Sequence, residues 1–212
     1  KRQAPIHHIG GVVCFGEVML TPAARQRCAE DGRFIVLLAR NGRTPEQITG
    51  AIISSVVPAL TGTFESMVGA YFACTPLIVS SDMDTGLTLR YQNPKEIGSD
   101  RIVNAAAAHH KFQRDLIIVD FGTATTFCAV TKTGDYLGGV IAPGLGISAE
   151  ALFARAAKLS KVELARPKTV IGTDTAGSIQ SGLLFGYAGL VNALIRRMEE
   201  GLGRSFYVIA TG

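Results

Sequence analysis

Apolar positions along this chain alternate between short β-branched runs and longer stretches of helical period. Residues 116–119, Leu-Ile-Ile-Val, form a continuous apolar run that ends on Asp120, the pattern of a buried strand with a carboxylate at its tip. Residues 122–125, Gly-Thr-Ala-Thr, make a tight polar loop, 126–130 a second strand, Lys132 to Asp135 a turn, and 136–141 a third strand. Together they predict a β-meander with a polar loop at one end. Upstream, the pattern predicts a strand over 10–20 and a helix from Thr21 through Cys28, whereas the apolar run 34–39 fits strand or helix equally. A short helix over 45–50 capped by Thr44, a strand over 51–57, a helix from Pro58 to about residue 73 and a strand over 76–79 follow, before a polar connection over 80–93. Ser99 is placed to cap an alanine-rich helix that runs to about Phe112, with Asp100 and Arg101 in its first turn. Downstream, the pattern predicts a loop over 143–146, a helix over 149–159 capped near Ser148, a polar turn over 171–181, a long apolar helix from Ile179 to about Glu200, and a strand over 206–210. Gly182, Gly186 and Gly189 recur on one face of that long helix, where they permit either close packing on a sheet or contact with a second copy.

Composition narrows the class. With 212 residues, 47% of them hydrophobic, the chain can bury a sizeable core as one large domain or two small ones. Only 18% are charged and 24 are glycine, which argues for a glycine-punctuated α/β protein and against disorder. A net charge of +4 with scattered Lys and Arg leaves no basic stripe for nucleic acid, and acidic small molecules suit it better. The four cysteines (Cys14, Cys28, Cys74 and Cys128) lack metal-like spacing and fit free thiols in a reducing cytoplasm. No apolar run reads as long enough to span a bilayer, and the opening residues lack the apolar core of a signal peptide, so no membrane partner is expected.

Two stretches carry candidate chemistry. After Asp120, Gly122 and Thr123 offer a backbone open to close approach with amide and hydroxyl donors, a design suited to phosphate; an ordinary hairpin in which Asp120 caps a turn has the same residues. The Asp-Phe-Gly of residues 120–122 stands without the other protein-kinase signatures. In 91–104, Pro94 breaks regular structure, Gly98 permits an unusual turn, and Asp100 sits at a helix start, a position that favours a carboxylate with or without catalysis.

Taken together, Asn-Pro, Glu-Ile-Gly-Ser-Asp-Arg, Ile-Ile-Val-Asp-Phe-Gly-Thr-Ala-Thr-Thr-Phe, Gly-Gly-Val-Ile-Ala-Pro-Gly, Ala-Leu-Phe-Ala-Arg-Ala-Ala-Lys-Leu and Thr-Asp-Thr-Ala-Gly-Ser-Ile-Gln-Ser-Gly resemble, in order and spacing, the type III pantothenate kinases of the actin-like and sugar-kinase superfamily. The resemblance covers roughly residues 45–212 and is specific because several short motifs agree in order. It implies an α/β fold of two ribonuclease-H-like (actin-like ATPase) lobes with mixed sheets flanked by helices, expected over 1–112 and 113–212 with Asp100, Asp120 and Thr123 facing the cleft between them. The implied activity is ATP-dependent phosphorylation of pantothenate, the first step towards coenzyme A, by a cytoplasmic homodimer.

Residue by residue, Asp100 matches the family's general base, which takes the proton of the pantothenate hydroxyl, and Gly98, Ser99 and Arg101 match the substrate stretch around it, with Ser99 where the family usually has Ala. Tyr91 matches a pantothenate-contacting tyrosine, and Thr175 a threonine that reaches pantothenate across the dimer interface. Asp120 matches the ligand of a monovalent cation, K⁺ or NH₄⁺. Gly122 and Thr123 match the nucleotide side, and Gly138 and Gly139 with Pro143 and Gly144 resemble the adenosine-side loop. Mg²⁺ is implied with ATP.

The chain also departs from the family. The usual opening strand ends in Asp-x-Gly-Asn-Thr, the first phosphate motif, whereas residues 10–20 offer Gly16-Glu17, and the family continues beyond the final Ala-Thr-Gly. The expectation is a chain altered or incomplete at its ends, or a divergent member with weakened nucleotide binding. Two other readings stand beside the kinase. One is a non-catalytic pantothenate- or nucleotide-binding regulatory protein. The other is a ribokinase-like sugar kinase, suggested by residues 12–22 but lacking the Gly-Ala-Gly-Asp anion hole, for which residues 174–178 are the nearest segment.

Overall fold

The computed structural model describes residues 12–15, 35–38, 50–56, 58–72, 74–156 and 161–212. The helices expected over 21–28 and 45–50 fall outside the described residues, as does Cys28. The chain forms two compact units, one of residues 1–85 and 93–103 and the other of residues 86–92 and 104–212.

In the first unit, β1 (Val12–Phe15) pairs in parallel with β2 (Ile35–Leu38), so the described part of the ambiguous run is strand. β3 (Ile52–Ile53) pairs in parallel with β4 (Leu77–Ile78), and α1 (Pro58–Phe72) joins them, a β-α-β step. β3 is far shorter than the strand expected over 51–57. Phe64, Val68 and Phe72, spaced four apart, bring one face of α1 onto Ile53, and these four side chains form one buried cluster of this unit. Each contributes roughly 1.5–3 kcal/mol by leaving water.

The second unit is built on a five-stranded sheet in the order β5 (Thr88–Leu89), β8 (Asp135–Pro143), β7 (Ala124–Val130), β6 (Leu116–Phe121), β9 (Tyr207–Thr211). β6, β7 and β8 are antiparallel neighbours, the expected meander, while β9 runs parallel to β6 and β5 parallel to β8. β5 corrects the reading of 80–93 as connection only: Thr88 and Arg90 donate their amides to the carbonyls of Gly134 and Tyr136. Leu116 through Val119 are all buried, as a central strand covered on both faces requires. On one face Ile117, Val119, Phe127 and Ala129 pack with Phe206 against Leu190, Val191, Leu194, Ile195 and Met198 of helix α4 (Thr175–Leu202).

Helix boundaries shifted where caps were misread. α4 starts at Thr175 rather than Ile179, because Asp174 caps it by accepting the Gly177 amide at 2.7 Å. α3 (Leu145–Arg155) starts four residues before the expected 149, capped by Gly144 with no side chain, and Ser148 lies inside it with its hydroxyl donating back to the Gly144 carbonyl. In α2 (Ser99–Phe112), Ser99 is the first helical residue, and its hydroxyl is spent on Ser54 and Ser55. α4 also corrects the reading that no segment suits a bilayer: it is long and apolar enough to cross one by length and composition, with an 18-residue window of mean hydropathy 1.3. Its sheet-packed residues account for part of that apolarity. The glycine stripe does not serve packing on the sheet: a side chain at Gly182, Gly186 or Gly189 would meet nothing within 4 Å.

Candidate functional site

In the first unit, the short helix Pro94–Glu96 leads through Ile97 and Gly98 into α2. Gly98 accepts the amides of Arg101 at 3.0 Å and Ile102 at 3.2 Å, which turns the chain into the helix. A Cβ on Gly98 would overlap the Asp100 carboxylate as it stands, so a side chain there would turn that carboxylate aside. Asp100 is exposed, and its Oδ1 accepts the Arg101 amide at 2.8 Å, while the Arg101 side chain is buried. Ser99 donates to the Ser55 carbonyl at 3.0 Å and accepts from the Ser54 hydroxyl at 3.1 Å, bonds an alanine could not make. The four residues Gly98 to Arg101 therefore form one rigid turn with a carboxylate on its outside.

In the second unit the other candidates fall into three groups. The first lies at one end of the sheet. Asp120 pairs with Thr126 and Thr211 in β6 and is half-buried, and its Oδ2 accepts a hydrogen bond from Asn104 Nδ2 of α2 at 2.9 Å. The expected loop of 122–125 is shorter than read, because β7 already begins at Ala124. Gly122 and Thr123 make the turn, and Ala124 pairs with Pro143. The Gly144 amide donates to the Thr123 carbonyl at 3.0 Å. A Cβ on Gly144 would overlap the carbonyl oxygens of Gly122 and Thr123, so this corner closes only around glycine. Tyr187 of α4 fastens it from outside: its hydroxyl bonds the Thr125 hydroxyl and donates to the Pro143 carbonyl at 3.3 Å.

The second group lies along β8 rather than in a loop: Gly138 and Gly139 are inside the strand, paired with Ala129 and Cys128, and Pro143 is its last residue, followed by Gly144. A bulge between Ala129 and Val130 leaves Gly138 at φ +121°, and a Cβ there would stand 3.7 Å from the Tyr91 ring. Gly138 thus belongs with Tyr91, whose ring meets Tyr136 edge-on at 6.4 Å between centroids. Beside them Arg90 Nε donates to Asp135 Oδ1 at 2.8 Å. That bond, followed by one from the Thr133 hydroxyl, holds the Asp135 carboxyl below its ordinary value of 3.8.

The third group is at the start of α4. Thr175 lines an open hollow of about 690 Å³ together with Leu152, Gly172, Asp174, Ser178 and Leu183.

The donor chemistry can be compared with the groups that the resemblance implied. Asp120 offers a half-buried carboxylate whose Oδ2 is engaged by Asn104. Carboxylate oxygen is the donor type that hard cations take. At the same end of the sheet α3 starts after Gly144, which has no side chain to cap its first amides, and a helix start of this kind suits phosphate.

Neither Asn104 nor Tyr187 was among the residues expected from sequence. Asn104 is the one polar side chain between Val103 and the alanines 105–108, which is its only signal; Tyr187 lies in an apolar helix, where a tyrosine reads as core.

The fold and these groups define an α/β protein whose polar residues collect at strand tips and helix starts. The profile of one family, type III pantothenate kinase, matches residues 7–197, reaching further towards the N-terminus than the motifs from residue 45 onward. The chain belongs to the type III pantothenate kinase family, whose fold is that of the actin-like ATPases. It is 56% identical over 166 residues to a protein of Desulfosudis oleivorans named type III pantothenate kinase, an alignment that covers 78% of this chain and 65% of that relative's length. A crystal structure from Campylobacter jejuni, described as a conserved Baf family transcriptional activator, aligns with a TM-score of 0.48 at 20% identity, covering 70% of this chain and 65% of that one.

Proposed function

We propose that the protein carrying this chain phosphorylates pantothenate with ATP and Mg²⁺, the first step of coenzyme A biosynthesis, as a cytoplasmic homodimer activated by K⁺ or NH₄⁺. The observation that carries the proposal is family membership over residues 7–197 together with the rigid Gly98–Arg101 turn, which presents an exposed carboxylate at the family's base position. In this reading Asp100 takes the proton of the substrate hydroxyl, and Tyr91 and Thr175 contact pantothenate, Thr175 from the hollow at the start of α4. Gly122 and Thr123 contact the nucleotide phosphates beside the start of α3, Gly138, Gly139, Pro143 and Gly144 lie on the adenosine side, and Asp120 holds the monovalent cation. Gly138, whose φ of +121° suits glycine, borders the Tyr91 ring. Bound Mg²⁺ neutralises phosphate charge during transfer. The two lobes are assigned to residues 1–112 and 113–212. The exposed stripe of Gly182, Gly186 and Gly189, with Phe185 beside it, supports a second copy of the chain as partner.

The test is a coupled assay of ADP release by the full-length protein with pantothenate, ATP and Mg²⁺, in K⁺ or in Na⁺. Turnover that needs pantothenate and K⁺, and falls at least ~100-fold in Asp100→Asn, is the expected result. Pantothenate binding by calorimetry with no turnover above the mutant would identify a binding protein instead.

A further inference from the structure

We propose that Asn104 is a positioning residue for the cation site, setting the Asp120 carboxylate in the orientation that a monovalent cation requires. The inference rests on the reading of Asp120 as a cation ligand and extends it to a residue to which nothing else assigns a role.

The geometry is direct. Asn104 Nδ2 donates to Asp120 Oδ2 at 2.9 Å. The direction is unambiguous, because a carboxylate only accepts and the amide nitrogen is the one donor Asn104 has on its side chain. Asn104 stands on a helix and Asp120 near the end of an interior strand, so both partners sit on regular elements rather than loops. Both are half-buried, which shields the bond from competing water and makes the orientation persistent. A carboxylate can otherwise turn about its terminal torsion, whose well is broad. Holding Oδ2 restricts the plane of the group, and with it the directions in which its lone pairs meet an ion. Partners that orient a ligand in this way tune affinity without touching the metal. The neighbours of Asn104 in the helix, Ala105 and Ala108, are buried small residues.

Asn104→Ala removes the donor at a position where alanine suits the helix, and Asn104→Leu keeps the side-chain volume should the smaller residue disturb packing. In the full-length protein both are expected to raise the K⁺ concentration for half-maximal activity ~10-fold or more, with kcat at saturating K⁺ and KM for pantothenate close to wild type. A second readout needs no turnover: the rise in melting temperature on titrating the ligand-free protein with KCl, against choline chloride as the ionic-strength control, should move to correspondingly higher K⁺. Wild-type K⁺ dependence in both variants, with only a lower melting temperature, would overturn the inference and make the bond a plain tether between helix and sheet. Wild-type turnover that is indifferent to K⁺ would overturn the underlying assignment of Asp120, and the role of Asn104 with it.

Discussion

Tyr187 shows how a side chain far along the chain can shape a loop it does not belong to. Its hydroxyl links Thr125 at the start of β7 to the Pro143 carbonyl at the end of β8, and the Gly144 amide then closes on Thr123. Tyr187→Phe keeps the ring and removes both bonds. The expected loss of stability is ~1 kcal/mol, and the expected kinetic effect is a several-fold rise in KM for ATP with KM for pantothenate unchanged. Denaturant melts and substrate titrations on the same preparation check both. The residues of the site differ in how well sequence exposed them. Gly98, Asp100 and Asp120 could be read because a glycine before a helix and a carboxylate after an apolar run are local patterns. Asn104 and Tyr187 act through partners remote in sequence, Asp120 and Pro143, and no local pattern encodes such a pairing.

Among the elements, the meander was legible because its three strands are joined by short turns and each carries its own apolar run. β5 was not, because a two-residue strand has no period of its own; it exists by pairing Thr88 with Asp135 and Leu89 with Tyr136. The starts of α3 and α4 were misplaced for one reason. Several residues near each start could cap, and only the folded backbone decides that Gly144 and Asp174 do so. The Arg90–Asp135 pair is where β5 is held to β8 outside the backbone ladder, and it gives a pH prediction. Asp135 has its pKa lowered on folding, chiefly by the Arg90 hydrogen bond, so the folded chain binds this proton less readily than the unfolded one. Its stabilisation is complete above the ordinary carboxylate value of 3.8 and is lost as pH falls through the lowered value. Arg90→Ala should therefore flatten the decline in melting temperature between about pH 5 and about pH 2 relative to wild type. Parallel acid melts of the two proteins measure it, and identical slopes would count against the pair.

For the whole molecule, family membership over residues 7–197 follows from motifs that are individually short but agree in order, and the described structure adds what order alone lacks, namely which of them meet. Gly122 and Thr123 meet Gly144, whereas Gly138 meets Tyr91 instead. The assembly yields to a substitution with opposed effects. Gly186→Lys on the open face of α4 replaces a poor helix former with a good one, so the isolated chain should gain up to ~1 kcal/mol while a homodimer across that face dissociates. Sedimentation velocity beside thermal melts separates the two effects, and a dimer of unchanged affinity would place the interface elsewhere. The parallel pairing of β6 with β9 carries a consequence for synthesis. Leu116 finds Val130 almost at once after both leave the ribosome, but Tyr207 arrives only after α3 and α4 have been made. Until then the most apolar strand of the sheet is an edge, with one row of amides and carbonyls unpaired and open to any passing chain. The long helix that later covers it emerges just before the strand that seals it, so the interval of exposure is the time taken to translate residues 131–206.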